Sequence, residues 1–191
     1  MATANKKYDV ILFGVTGFTG KLTAEYLIKS NYDIQWAVCA RNKAKAEAVL
    51  GEICDNKPPP TILAADLVCD SHEKLETLRQ VVQQTKVVLT CAGPFEKYGT
   101  TLVKLCAEEG VSYADITGET DFVRSMISQH DKTARENGAM IVCHCGNDCI
   151  PQDLTCWEMF QYASKNQATL KQVSTYVELP ESASMSGGTA A

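Results

Sequence analysis

Residues Tyr8 to Lys21 read YDVILFGVTGFTGK, and this stretch decides the fold. A short apolar run, Val10-Ile11-Leu12-Phe13, leads directly into glycines at positions 14, 17 and 20, and a helical pattern follows. Strand, glycine turn and helix in that order suit the binding of a nucleotide pyrophosphate. The first glycine lets the chain turn sharply off the strand, the second lets backbone approach phosphate, and the third lets the helix pack close to the sheet. The start of the helix adds free N–H groups and the positive end of its dipole. The spacing is G-x-x-G-x-x-G rather than G-x-G-x-x-G, so the glycines alone also fit an ordinary structural turn. A triphosphate-binding Walker loop fits less well, because Gly14 lies six residues before Gly20 and Leu22 rather than Ser or Thr follows Lys21. Thr16, Phe18 and Thr19 lie within the same turn and count with Gly14, Gly17 and Gly20 as candidate cofactor-binding residues.

Beyond the turn the pattern alternates. Phe18, Leu22, Tyr26 and Leu27 recur at helical spacing. Strands are expected over 34–39, 61–65, 86–91, 111–116 and 139–144. Helices are expected over 42–54, from Ser71 with Leu75, Leu78 and Val82 on one face, over 98–109, over 119–137 and over 151–165. Ser71 suits an N-cap, and Gly110 and Gly138 suit helix ends. Strands alternating with helices imply right-handed βαβ units, hence a doubly wound, parallel, Rossmann-like α/β sheet. Residues 1–168 form the expected dinucleotide-binding domain, and 169–191 the start of a truncated second domain.

Composition narrows the partners. The 191 residues carry a net charge of −5, which gives no reason to expect nucleic acid. The N-terminus lacks the apolar core of a secretory signal, and no run is long enough to span a membrane. The chain therefore reads as cytoplasmic, and its nine cysteines as reduced thiols. Cys143, His144, Cys145 and Cys149 could offer metal ligands but lack paired C-x-x-C spacing. They read as strand-end thiols, with Cys143 and Cys145 on one strand face and His144 on the other, and no metal is expected.

Ligands of such sheets lie beyond the carboxyl ends of the strands. After the second strand, Arg41 follows Gly20 at the distance where an acidic residue would select NAD and a basic one NADP. With Asn42, Lys43 and Lys45 beside it, Arg41 favours the 2′-phosphate of NADP over NAD, against the alternative of a solvated helix-start cation. Asp66, after the third strand, either bonds the adenine amine or caps the next turn. Cys91, Ala92, Gly93 and Pro94 leave room for ribose and nicotinamide, or form a simple turn. Asp115 and Glu119 are carboxylates near the cleft. Either could serve as an acid or base, although Glu119 fits better as a favourable charge in the first turn of its helix. Tyr98 is a third catalytic candidate. No Tyr-x-x-x-Lys pair and no nucleophile elbow is present, so the catalytic group is left unknown.

Five blocks together resemble the saccharopine dehydrogenase-like oxidoreductases in their NADP-binding N-terminal domain. They are FGVTGFTGK (13–21), CARNKAK (39–45), CAGPFEKYG (91–99), YADITGE (113–119) and GNDCIPQDL (146–154). Bacterial trans-acting enoyl reductases are similar through the same blocks. The resemblance implies phosphate binding at the three glycines and 2′-phosphate recognition at Arg41. It also implies a nicotinamide side formed by Gly93-Pro94, Tyr98-Gly99 and the Asp115–Glu119 block. It departs at Cys149, where relatives often carry Ser. Hydride transfer to a carbonyl or enoyl group of a small or lipid-like substrate follows as the implied activity, with lipid-droplet or membrane association seen in eukaryotic members. Residues 186–189 resemble the entry to a second, substrate-facing domain, which marks the chain as an N-terminal fragment or short form. The alternative is a non-catalytic NADP-binding sensor or interaction module. The oligomeric state is left open.

Overall fold

The computed structural model describes residues 6–30 and 32–176. Residues 186–189 and most of the expected second domain lie outside them. Six strands form one sheet: β1 (Tyr8–Phe13), β2 (Trp36–Cys39), β3 (Thr61–Leu63), β4 (Thr85–Thr90), β5 (Ser112–Asp115) and β6 (Ile141–Val142). Their order is β3-β2-β1-β4-β5-β6, and every recorded pairing is parallel. The helices are α1 (Phe18–Lys29), α2 (Lys43–Ile53), α3 (His72–Val82), α4 (Phe95–Tyr98), α5 (Thr100–Glu109), α6 (Thr120–Asn137) and α7 (Ile150–Lys165). This is the doubly wound parallel fold that the alternating pattern predicts.

The central strand shows why both faces must be covered. Alternate side chains of β1 enter two separate cores. Ile11 and Phe13 join Leu78 and Val82 of α3 and Leu102, Leu105 and Cys106 of α5. Leu12, between them, joins Ala24 of α1, Val38 of β2 and Ala46 and Leu50 of α2. A strand buried on both sides reads as continuous apolar sequence, as Val10 to Phe13 does.

Local chemistry fixes several helix ends. The Asn42 side chain accepts the N–H of Lys45 at 3.0 Å and caps α2. The Ser71 hydroxyl accepts the N–H of Lys74 at 3.3 Å and caps α3.

Three expectations change, and the last helix stands apart from the core. The helix expected over 98–109 is two helices, because a separate turn, α4, runs from Phe95 to Tyr98 before Gly99 passes the chain to α5. Strand β6 stops at Val142. His144 has a left-handed backbone (φ 61°), so the regular two-face alternation proposed for Cys143, His144 and Cys145 does not exist. Phe18, Leu22 and Tyr26 face outward, at 72%, 49% and 60% exposure, and α1 is buried through Gly20 and Ala24 instead. Small residues bring that helix close to the sheet, which leaves its large side chains outside. Finally, α7 buries none of its residues, and Leu154, Trp157 and Phe160 line a shallow apolar hollow on it.

Candidate functional site

The strand order reverses between β1 and β4, and the glycine turn lies at that point. Gly14 has φ +89°, a conformation that glycine adopts without cost. A Cβ there would stand 2.8 Å from the nitrogen of Ala92 and 2.9 Å from the carbonyl carbon of Cys91. The Cys91 N–H in turn donates to the Phe13 carbonyl at 3.0 Å. The fold thus brings the Gly14 turn and the Cys91–Pro94 run against each other, as the reading of both as one site requires.

Gly20 faces inward. A Cβ on it would lie 1.9 Å from the Gly14 carbonyl oxygen, an impossible separation, so only glycine lets α1 begin this close to the turn. Gly17 differs from both. Its φ is −90°, and a Cβ would meet nothing nearer than the Gly14 oxygen at 3.4 Å. Packing within the protein therefore makes little demand for glycine at 17. Gly17 is also the N-cap of α1, where no side chain caps the helix and no acidic residue occupies the first turn. The N–H groups of Phe18, Thr19 and Gly20 precede the first residue able to bond within the helix, Lys21, whose N–H donates to Gly17 at 2.9 Å. Backbone donors without an intrahelical partner, a positive helix end and a missing side chain fit a diphosphate. Thr16 and Thr19 are half-buried beside them.

At the end of β2, Arg41, Lys43 and Lys45 are exposed, and none of the three forms an ion pair among the described residues. This cationic rim fits a phosphate monoester. The carbonyl oxygen of the Asn42 side chain is already occupied by its cap. Asp66 accepts the Val68 N–H through Oδ1 at 3.1 Å, so the turn-capping role is present in the fold.

The β5 end is a buried polar knot. Asp115 is fully buried. Its Oδ2 accepts the Tyr113 hydroxyl at 2.8 Å, and its Oδ1 accepts the N–H groups of Thr117 at 3.0 Å and His144 at 3.2 Å. Burial, and then the Asp115 charge, pushes the Tyr113 phenol well above its ordinary value. The same two causes push the Cys143 thiol up to about 12. Both groups therefore stay protonated at neutral pH.

Glu119 is the N-cap residue of α6 but makes no side-chain cap to its own helix. Its carboxylate reaches α4 instead, accepting the N–H of Phe95 at 2.7 Å through Oε1 and that of Glu96 at 2.7 Å through Oε2. The expected role as a first-turn charge of its own helix is thus replaced by a bond to a neighbouring one. Tyr98 is half-buried on α4, with the Lys97 ammonium 5.1 Å from its ring centroid.

Two further residues join this knot, neither of them singled out in the sequence as a catalytic or cofactor-binding candidate. Thr117 is buried and accepts the Glu119 N–H on its hydroxyl at 3.0 Å. His144 turns its Nδ1 to the Thr117 carbonyl at 2.6 Å. Thr117 lies inside the 113–119 block and could have been flagged there. Nothing in the sequence signals the backbone turn that places His144. Among the described residues, no group of three His, Cys, Asp or Glu side chains could hold a metal ion.

A parallel sheet in this order, with a glycine turn at its reversal and a cationic rim two strands' width from the polar knot, defines a dinucleotide-binding domain. Residues 10–142 match the model of the saccharopine dehydrogenase NADP binding domain. The chain belongs to that family, and its cofactor is NADP. It is 38% identical over 162 residues to the trans-acting enoyl reductase of Mycobacterium tuberculosis, covering 84% of this chain and 37% of that one. It is 36% identical over 161 residues to the trans-acting enoyl reductase of Mycobacterium leprae, with the same shares covered. The chain therefore spans less than two-fifths of the length of these relatives. Among solved structures, the apo saccharopine dehydrogenase (L-Glu forming) of Saccharomyces cerevisiae superposes with a TM-score of 0.64 at 16% identity, over 83% of this chain and 32% of that one. That likeness is one of fold.

Proposed function

We propose that this chain is the cofactor-holding part of an NADP(H)-dependent oxidoreductase that transfers hydride to a carbonyl or enoyl group of a small or lipid-like substrate. The observation that carries this reading is Gly17, a glycine that internal packing scarcely requires, placed at the N-cap of α1, where no side chain caps the helix. The relatives at 36–38% identity, known as trans-acting enoyl reductases, support the enoyl class. When bound, the dinucleotide would supply the hydride. The chain's own part is to hold the diphosphate at residues 14–20, to pair the 2′-phosphate with Arg41, and to present the Cys91–Pro94 wall to the nicotinamide. The region from residue 169 onward then opens a second, substrate-facing domain, in keeping with the greater length of the relatives.

The test is cofactor discrimination. NADPH should quench the fluorescence of Trp36 and Trp157 at concentrations where NADH does not. Arg41→Asp should reverse that preference, because a carboxylate repels the 2′-phosphate and accepts the ribose hydroxyls of NADH. Equal affinity of the native chain for both cofactors would remove the assignment of Arg41.

A second reading, a non-catalytic NADP-binding sensor, is favoured by one observation. Every oxygen of Asp115 and Glu119 is already bonded within the fold. Oxidation of NADPH by the chain with an enoyl or carbonyl compound excludes this reading.

A further inference from the structure

Two strand-end loops lie beyond the diphosphate turn: Cys91–Pro94 after β4, and Ile116–Glu119 after β5. A single side chain joins them. Glu119 uses both carboxylate oxygens on consecutive backbone N–H groups, Phe95 and Glu96, at 2.7 Å each. These residues directly follow Pro94, so the bonds fix the far end of the Cys91–Pro94 run. Charged acceptors make short, strong hydrogen bonds of this kind, and the N–H groups of a first helical turn favour a negative partner.

Glu119 is itself held in place. Its N–H donates to the Thr117 hydroxyl at 3.0 Å, the Thr117 N–H donates to Asp115 at 3.0 Å, and Asp115 receives the buried Tyr113 hydroxyl at 2.8 Å. An unbroken path of hydrogen bonds therefore runs from the floor of β5 to the residue after Pro94. At the near end, the Ala92 N–H donates to the Thr90 hydroxyl at 3.2 Å, and the Cys91 N–H to the Phe13 carbonyl at 3.0 Å. Between these anchors, Gly93 has no side chain and Pro94 no N–H. The Phe95 ring is buried against Phe122 of α6, with centroids 6.2 Å apart. The wall is thus pinned at both ends, and Glu119 is the polar pin at the β5 end.

We propose that Glu119 is a positioning residue: it sets the Cys91–Pro94 wall against which the nicotinamide half of NADP lies, while the adenosine half binds independently of it. This rests on the NADP reading above. It separates the roles of two carboxylates in one sequence block, with Asp115 as the buried anchor and Glu119 as the arm that carries its order across to β4.

The experiment compares two ligands on the native chain, on Glu119→Ala and on Glu119→Gln. NADPH probes the whole site, and adenosine 2′,5′-bisphosphate probes only the adenosine half. Glu119→Ala should weaken NADPH by about ten-fold or more, the effect of losing one to two charged hydrogen bonds from the ordering of the wall. Its affinity for adenosine 2′,5′-bisphosphate should stay within about two-fold of native, well under the ten-fold that 1.4 kcal/mol represents. Glu119→Gln keeps one carbonyl acceptor and should fall between the two. The emission of bound NADPH, which reports the surroundings of the nicotinamide ring, should shift toward that of free cofactor in Glu119→Ala. Equal losses for both ligands would mark Glu119 as merely structural and overturn the proposal, as would unchanged NADPH affinity and emission. Failure of the native chain to bind either ligand would instead overturn the NADP reading, and this inference with it.

Discussion

Alanine at glycine 20, 51 or 17 should give three different outcomes, because the space around each differs. In a helix interior, Gly→Ala normally stabilises by roughly 0.5–1 kcal/mol, since alanine loses less backbone entropy on folding. Gly51 in α2 has nothing within 4 Å of an added Cβ, so Gly51→Ala should show that gain. At Gly20 the Cβ would lie 1.9 Å from the Gly14 carbonyl oxygen and 2.5 Å from its carbon, both of them backbone. No side chain can rotate away there, so α1 or the turn must shift. Overpacking of this kind costs about 1–3 kcal/mol or more, which exceeds the propensity gain. The propensity gain is common to both helical positions, so the two variants should differ by the overpacking cost, about 1–3 kcal/mol or more, in urea unfolding followed by circular dichroism, provided their m-values match. At Gly17 the nearest atom is 3.4 Å away, so Gly17→Ala should change stability by less than about 1 kcal/mol, the scale of an N-cap preference. Its NADPH affinity should nevertheless fall by about ten-fold or more, because the new methyl occupies the approach of the diphosphate. If Gly20→Ala proved as stable as Gly51→Ala, the close packing of α1 on the turn would be refuted. If Gly17→Ala bound NADPH normally, the turn would not be the diphosphate site.

Two further predictions concern groups away from the site. Arg79 of α3 donates to Glu108 at 2.8 Å and to Glu109 of α5, and Gln83 donates to Glu109 at 2.8 Å. Burial alone would raise the Glu109 carboxyl, but the bonds from Gln83 and Arg79 outweigh it and hold the carboxyl below its ordinary value. A carboxyl depressed by folding stabilises above its unfolded pKa of about 4.3 and loses that contribution as pH falls through the lower folded value. Arg79→Ala should therefore cost about 1–2 kcal/mol at pH 7 for this partly exposed pair, and the gap to the native protein should narrow toward pH 3 in denaturant titrations. A gap independent of pH would mean that packing of the Arg79 stem dominates. The Cys39 thiol is pushed up to about 12 by burial, and burial pushes Cys106 up as well. At pH 8 both should resist a disulfide reagent in the folded protein and react once it is unfolded, as mass mapping of the labelled sites would show. Rapid labelling of Cys39 under native conditions would contradict its place at the end of β2, in the core that α3 and α5 cover.

Much of the fold was legible in the chain itself. An apolar run on β1, a glycine turn, Ser71 as a cap, and Gly110 and Gly138 as helix ends are local signals, set by backbone conformation and side-chain periodicity over a few residues. The alternation of elements then leaves few topologies, because crossovers between parallel strands are right-handed. The NADP expectation had a similar source: the cationic residues after β2 lie at a fixed distance along the chain from the glycines.

Side-chain direction was less legible. Phe18, Leu22 and Tyr26 keep helical spacing yet point outward, since apolar spacing on a helix does not reveal which side the sheet will take. Gly20 and Ala24 win that side because their size lets backbones approach. The loss of regular strand geometry after Val142 was likewise invisible, because Asp115 on a neighbouring strand, and not local propensity, binds the His144 N–H.

From its sequence this protein reads as a parallel α/β domain for a dinucleotide, with NADP favoured over NAD, because those readings rest on local conformation and on charge at fixed separations. Only the tertiary structure decided the partners of individual residues. Glu119 reads as a carboxylate at the start of its own helix, but its partners lie 24 and 23 residues earlier in the chain. They come within 2.7 Å because the sheet sets β4 beside β5 and directs both strand ends to the same edge. Gly14 and Gly20, too, are explained by atoms that only the folded chain brings against them, whereas at Gly17 the described residues leave room for a Cβ.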